Sequence, residues 1–229
     1  MVHGSSEDAA LLVLGGRLDT PIYHFTHAKN LPAILPAGRL RCKARLPNGD
    51  QLVNVSHDNI QERRRNKQVD CEPGSILHDY VPFYFATRSP MMYVISKGGV
   101  EGYDSNTMPL IYLVSSVRRV QEEALKFVFS DGHPVVKLSR FYNNLNDLDK
   151  VDWQVMGSTM WTDTEAYPDR RRRRQAEFLV HDSFPWSAVE FLAVRHTEVK
   201  RRLDDHLARE WPDLARPVRV APGWYYPSG

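Results

Sequence analysis

The chain has 229 residues, 42% hydrophobic and 25% charged, with a net charge of +2. That is core material for one large domain or two small ones, and it confines any nucleic-acid role to local clusters of charge. Two cysteines, Cys42 and Cys71, make neither a disulfide framework nor a metal motif and point to a reduced, cytoplasmic compartment.

No apolar run reaches the ~18 residues that cross a bilayer. AALLVLGG near the start lacks the basic flank of a signal peptide, and residues 1–19 read as a flexible extension. PIYHFTH (21–27) is β-branched and aromatic and predicts a strand. Asn30 predicts the N-cap of a helix with Leu31, Ile34 and Leu35 on one face, stopped at Gly38. Pro47, Asn48, Gly49 and Asp50 make 41–56 a loop. NIQERRRNKQV (59–69), with Ile60 as its main apolar residue, predicts an exposed helix.

Residues 81–95 predict a strand, a Pro-broken turn and a short helix, and PLIYLVSS (109–116) a buried strand. LKFVFSDGHPVV (125–136) reads as strand, D-G turn and strand. Segment 137–175 is aromatic, polar and irregular. AEFLVHD (176–182) and VEFLAVR (189–195) predict strands separated by SFPW. VKRRLDDHLAREW (199–211) has Leu203 and Leu207 at helical spacing, and RPVRVAPGWYYPSG predicts a last strand and tail. With no internal repeat and no Ser/Gly linker, the reading is one α+β domain over 20–229 with a largely antiparallel sheet.

Nine histidines show no His-x-x-x-His spacing and the cysteines no Cys-x-x-Cys, so no metal is expected. There is no Gly-rich phosphate loop and no G-x-S-x-G elbow. The oddity is RRRRQAEFLV (171–180), where Glu177 interrupts an apolar strand although an unpaired buried carboxylate costs several kcal/mol or more. Two readings stand for it, a catalytic carboxylate and a buried partner of an arginine.

Three pieces carry a resemblance: YHFTHAKNLPAILPAGRL (23–40), FYFATRSPMMY (83–93) and QAEFLV (175–180). Together they resemble the His–Tyr–Glu branch of the ADP-ribosyltransferase superfamily, with His24, Tyr84, Tyr93 and Glu177 on its motif positions. With IQERR, LHDYVPFYFATRSPMMY, PLIYLVSS, RRRQAEFLV and WYY in order over roughly 20–226, the chain is similar to the DarT family of DNA ADP-ribosyltransferase toxins.

The resemblance implies a single domain with a central, largely antiparallel split β-sheet and short flanking helices. It implies NAD as co-substrate. His24 would bond the adenosine ribose, with backbone groups beside it at Phe25 and Thr26 holding the nicotinamide amide. Asn30, Leu40, Arg64, Tyr84 and Tyr93 complete the implied NAD set, under a covering loop and helix at 41–66. Glu177 would be catalytic, assisted by Arg64, with Arg63 one residue of register away. The implied acceptor is a thymine base in single-stranded DNA, and the implied partner is a macrodomain antitoxin of the DarG type.

In that superfamily the loop before the Glu strand selects the target, here 137–175. Aromatic residues interleaved with arginines suit an unpaired strand, which nominates Arg140, Tyr142, Trp153, Trp161, Arg171, Arg172 and Arg173. The plain alternative makes Trp153 and Trp161 core residues of a packed loop. Strand alternation would turn Arg174 away from Glu177. Other acceptors (guanine in DNA, RNA or protein) and a non-catalytic nucleic-acid-binding module remain as alternatives.

Overall fold

Pro21–His27 (β1) pairs along its whole length with Leu110–Ser116 (β4), Pro21 opposite Ser116 and His27 opposite Leu110. These two strands anchor the computed structural model, which describes residues 17–46, 52–53, 58–98 and 109–227. Every residue of β4 is buried, as the continuous apolar run dictates.

Between them come helix Leu31–Ala37 (α1), strand Arg39–Arg41 (β2), helix Asp58–Asn66 (α2), strand Tyr80–Tyr84 (β3) and helix Pro90–Ser96 (α3). After β4 follow helix Val117–Glu122 (α4), strands Phe127–Ser130 (β5) and Phe141–Tyr142 (β6), and single helical turns Trp153–Met156 (α5) and Arg170–Arg173 (α6). The chain ends with strands Glu177–His181 (β7), Ser183–Pro185 (β8) and Phe191–Val194 (β9), helix Thr197–Glu210 (α7) and strand Val218–Val220 (β10).

Eight strands form one sheet in the order β10-β9-β4-β1-β3-β7-β5-β6. Only β10 and β9 pair in parallel among the described strands. The α+β, largely antiparallel architecture is the expected one. At its centre the sheet opens: β1 and β3 share a single register pair, Tyr23 with Tyr84. Pro82 supplies the reason. It lacks an N–H, so its strand cannot continue a ladder on that side, and its carbonyl accepts instead from the His24 ring, Nδ1 to O 2.8 Å.

Two local expectations are corrected. The residues after the D-G turn do not form a strand; the partner of β5 is Phe141–Tyr142, paired through Phe129–Tyr142 and Ser130–Phe141. SFPW is not a plain connection either. Ser183–Pro185 pairs antiparallel with Arg39–Arg41 in a second, two-stranded sheet, and this buries Leu40 against Phe184.

Leu203 and Leu207 are the buried stripe of α7, as their spacing requires. Gly38 ends α1 at φ +63°, the left-handed turn that glycine adopts without strain. Of the N-terminal extension, residues 1–16 lie outside the described residues. Its last part, Arg17–Asp19, forms a turn whose Asp19 pairs with Arg118.

Candidate active site

A cavity of about 780 Å³ opens beside the break in the sheet, a size that suits a substantial small molecule. His24, Phe25, Thr26, Asn30, Leu40, Arg64, Tyr84 and Glu177 all line it. These residues come from β1, the turn that caps α1, β2, α2, β3 and β7, so the fold, not local sequence, assembles the site.

Tyr84 stands opposite Glu177 in the β3–β7 register, which puts both side chains on one face. The Phe25 ring stacks on Tyr84 at 5.5 Å and 5°. Burial pushes the Tyr84 phenol well above its ordinary pKa, and the Glu177 charge adds to that; the phenol stays neutral.

Helix α2 was expected to be exposed. Arg63 is, but Arg64 is only 7% exposed, because it follows Ile60 by one turn and shares its inward face. Its Nη1 donates to both Glu177 oxygens, at 3.1 and 2.9 Å. Burial raises the Glu177 carboxyl above the usual range, and the Arg64 charge and hydrogen bonds oppose that rise. The second nitrogen, Arg64 Nη2, is buried without a hydrogen-bond partner among the described residues. Such an orphan donor is costly and is what a ligand oxygen would satisfy.

His24 is neutral: burial lowers its pKa, more strongly than the Pro82 bond raises it. Since Pro82 offers a carbonyl, which only accepts, Nδ1 carries the proton and Nε2 is left as an acceptor. It is suited to a hydroxyl.

Asn30 occupies the N-cap position but its side chain caps nothing. It bonds Thr26 Oγ1 (2.9 Å) and both backbone groups of Val53 (2.9 and 3.2 Å). That staples part of the 41–66 segment over the cavity, where Leu46, Leu52, Val53 and Ile60 also line the wall. Residues 47–51 and 54–57 lie outside the described residues.

Tyr93 is a correction. Pro90, Met91 and Val94 of α3 face the cavity, and Tyr93 is on another side of that helix. It is 41% exposed and packs edge-on against Trp161 (5.9 Å) and Tyr226 (5.2 Å).

The arginine run is also corrected. Residues 170–173 form a helical turn, so strand alternation does not apply, and most of its charges are spent inside the protein. Arg172 pairs with Asp169 and Asp131 (2.7 and 3.0 Å). Arg173 pairs with Asp152 and Asp169 (3.0 and 3.3 Å). Arg174 is buried and donates to the carbonyls of Val155, Met156, Ser158 and Thr87. Arg171 is the exposed one of the expected three, and both it and Arg172 reach the cavity wall.

Trp153 packs edge-on against Phe85 (5.4 Å) and donates to the Leu148 carbonyl (2.8 Å); it is a core ring of a packed loop. Tyr142 stacks on Phe129 (5.4 Å), Trp161 Nε1 donates to Tyr226 Oη (2.7 Å), and Arg140 is exposed. Sequence reasoning passed over His78 and His133, which line the same cavity. Each has a buried ring nitrogen without a hydrogen-bond partner among the described residues. His78 lies within the quoted stretch LHDY, but nothing in either residue's surroundings in sequence marks it.

Comparison with known proteins gives the family. The family model described as "ssDNA thymidine ADP-ribosyltransferase, DarT" matches residues 23–226. The DNA ADP-ribosyl transferase of Thermus sp. (strain 2.9) is 41% identical over 208 residues, 90% of this chain and 96% of that protein. The Mycobacterium tuberculosis enzyme of the same name is 34% identical over 91% of this chain and 90% of its own length. Among solved structures, Thermus sp. 2.9 DarT in complex with ADP-ribosylated ssDNA superposes with a TM-score of 0.84 at 39% identity, covering 91% of this chain and 97% of that one. The same protein in complex with NAD+ gives 0.80 at 37% identity, over 91% and 98%. A match that runs from β1 to the final aromatic segment takes in every strand that builds the cavity, and the chain belongs to the DarT family.

Proposed function

We propose that this chain is the toxin of a toxin–antitoxin pair and transfers ADP-ribose from NAD to a thymine base of single-stranded DNA, in a short sequence context, releasing nicotinamide. Membership of the family makes it an NAD-dependent DNA ADP-ribosyltransferase. The thymine acceptor is supported by the family description. The partner we propose is a macrodomain antitoxin of the DarG type that removes the mark, and the place of action is the cytoplasm.

One observation carries the reading: a buried carboxylate held by a buried arginine in a cavity that also presents His24. NAD fits what is there. His24 Nε2 can accept from a ribose hydroxyl, and Arg64 Nη2 is a free donor for an anionic or carbonyl oxygen. The bond between nicotinamide and ribose breaks with oxocarbenium character, and a preorganised carboxylate stabilises that charge. On this reading Glu177 does so. The thymine ring nitrogen gives up its proton, bonds to the ribose carbon, and neutral nicotinamide leaves. A guanidinium has donors only and no site to take a proton, so the carboxylate is the proton acceptor and Arg64 holds it and polarises the base. Tyr84 and Phe25 wall the site against water.

The test is incubation with NAD and a panel of oligonucleotides, read by mass. A gain of one ADP-ribose on thymine-containing single strands, absent with Glu177→Ala, supports the reading. No gain on any DNA overturns it, and a gain only on RNA, guanine or protein moves the acceptor.

A further inference from the structure

We infer that Tyr226 is a positioning residue for the DNA side of the reaction: its hydroxyl pins the loop at Trp161 to the turn at Arg88 and so sets one rim of the cavity. This rests on the functional reading above. It gives a role to the final aromatic segment, residues 224–226, none of which lines the cavity.

The segment is anchored on the sheet. Tyr225 is buried, and its hydroxyl is shared between the carbonyls of Ala193 (2.9 Å) and Leu110 (3.2 Å), on the neighbouring strands β9 and β4. The Tyr112 hydroxyl donates to the Trp224 carbonyl (3.4 Å), and the Trp224 ring meets Tyr23 and Tyr112 edge-on at 5.2 and 5.8 Å. Tyr226 therefore works from a fixed base.

From that base it joins two separate elements. Tyr226 Oη accepts from Trp161 Nε1 and donates to the Arg88 carbonyl, both at 2.7 Å. A phenol has one proton to give, and here it goes to Arg88 while the indole N–H takes the lone pair. Arg88 answers with its own side chain: Nε donates to the Tyr225 carbonyl (3.2 Å), and the guanidinium lies over the Tyr226 ring at 5.9 Å. Arg88 sits at φ +48°, a left-handed conformation that an arginine keeps only where its surroundings hold it. Arg174 repeats the link one residue earlier. It donates to the Thr87 carbonyl (3.0 Å) and to those of Val155 (2.8 Å) and Ser158 (3.1 Å). Both carbonyls at 87 and 88 are thereby tied to the loop that precedes β7.

The two tied pieces lead directly into the cavity wall. Next to Arg88, Ser89 caps α3 by accepting from the Met92 N–H (3.2 Å), and Pro90, Met91 and Val94 of that helix line the cavity. Two residues beyond Trp161, Asp163 lines it too and accepts from the Arg171 N–H (2.9 Å). A wall built from a loop and a short helix holds its geometry only through support of this kind. Ring packing is a different matter. Tyr226 also meets Tyr93 edge-on at 5.2 Å, a contact that Tyr226→Phe keeps while it removes the hydroxyl tie.

The experiment compares wild type, Tyr226→Phe, Trp161→Phe and the double variant. NAD affinity is read by calorimetry, and oligonucleotide KM and kcat by mass-resolved kinetics. Tyr226→Phe is expected to keep NAD affinity within twofold and to raise the oligonucleotide KM about fivefold or more. Trp161→Phe breaks the same tie from its other end, so the KM of the double variant should stay within twofold of the worse single one. An unchanged oligonucleotide KM in Tyr226→Phe, a loss confined to NAD affinity, or single effects that multiply in full in the double variant each overturn the inference. Should Tyr226→Phe melt early, Trp161→Phe, which leaves the Tyr226–Arg88 bond in place, decides it, a wild-type KM overturning it. A wild type that transfers to no oligonucleotide overturns the functional reading itself and this inference with it.

Discussion

Arg64 and Glu177, 113 residues apart in sequence, meet through one guanidinium nitrogen that bonds both carboxylate oxygens. Both side chains are nearly free of solvent, at 8% and 4% exposure. Removing one partner leaves a buried charge alone, so Arg64→Ala should cost about 3–5 kcal/mol by urea denaturation. Arg64→Met with Glu177→Leu should recover much of that while remaining inactive. Either single change should lower transfer by about 10²–10³-fold or more. A stable, active Arg64→Ala would contradict both the stabilising and the catalytic role of the pair.

A Cβ on Gly132 would overlap Arg172 Nη1 and stand 2.9 Å from Cζ, and that contact predicts a specific coupling. Gly132→Ala should cost about 1–3 kcal/mol, because the guanidinium it displaces is fixed by Asp131, Asp169 and Ser139. Combined with Arg172→Ala, the two losses should fall short of their sum by about 0.5 kcal/mol or more. Strict additivity in a double-mutant cycle would contradict the contact.

The buried histidines set an acid limit. His133 has a folded pKa near 4 against an ordinary value of 6.5. Between those values the unfolded chain takes up a proton that the folded chain refuses. Stability is therefore whole above pH 6.5, falls as pH drops towards 4, and levels off below. The single-group limit is about 3 kcal/mol. His24 and His78, also lowered by burial, act in the same direction. Melting temperatures over this range should fall less steeply in His133→Asn than in wild type; identical slopes would refute the assignment.

The arginine run predicts unequal roles for neighbours. Arg171→Ala should weaken oligonucleotide binding and reduce the slope of log K against log salt by about one. Arg173→Ala, losing its pairs with Asp152 and Asp169, should change stability and leave the salt slope alone. Equal slopes for the two variants would contradict the division.

What the sequence disclosed follows from which forces are local. Strand β1, the buried run of β4 and the Gly38 stop are written in periodicity and turn chemistry, and each forms as expected. Resemblance supplied Glu177, His24 and Arg64, which composition alone does not distinguish from structural residues. The failures come from long-range partners. Two distant aspartates, Asp131 and Asp152, decide much of what Arg172 and Arg173 do, and Asp169, one turn before them, takes part only because 170–173 is helical. Tyr93 fits a motif position yet faces an aromatic cluster, because helix phase is set by which side packs. His133 leaves no mark in a sequence whose turn reads as a hairpin.

The strand order has a consequence for the making of the protein. β1 needs β4, β4 needs β9, and β3 needs β7, so the pairing partners are separated by long stretches of chain. As the ribosome emits it, the chain first exposes His24, then Arg64, then Tyr84, with nothing to close the cavity around. Only when Glu177 has emerged and β7 has annealed to β3 can the reactive constellation exist. On the proposed function, an unfinished chain is harmless, and an abandoned translation product ending short of β7 releases no activity into the cell that made it.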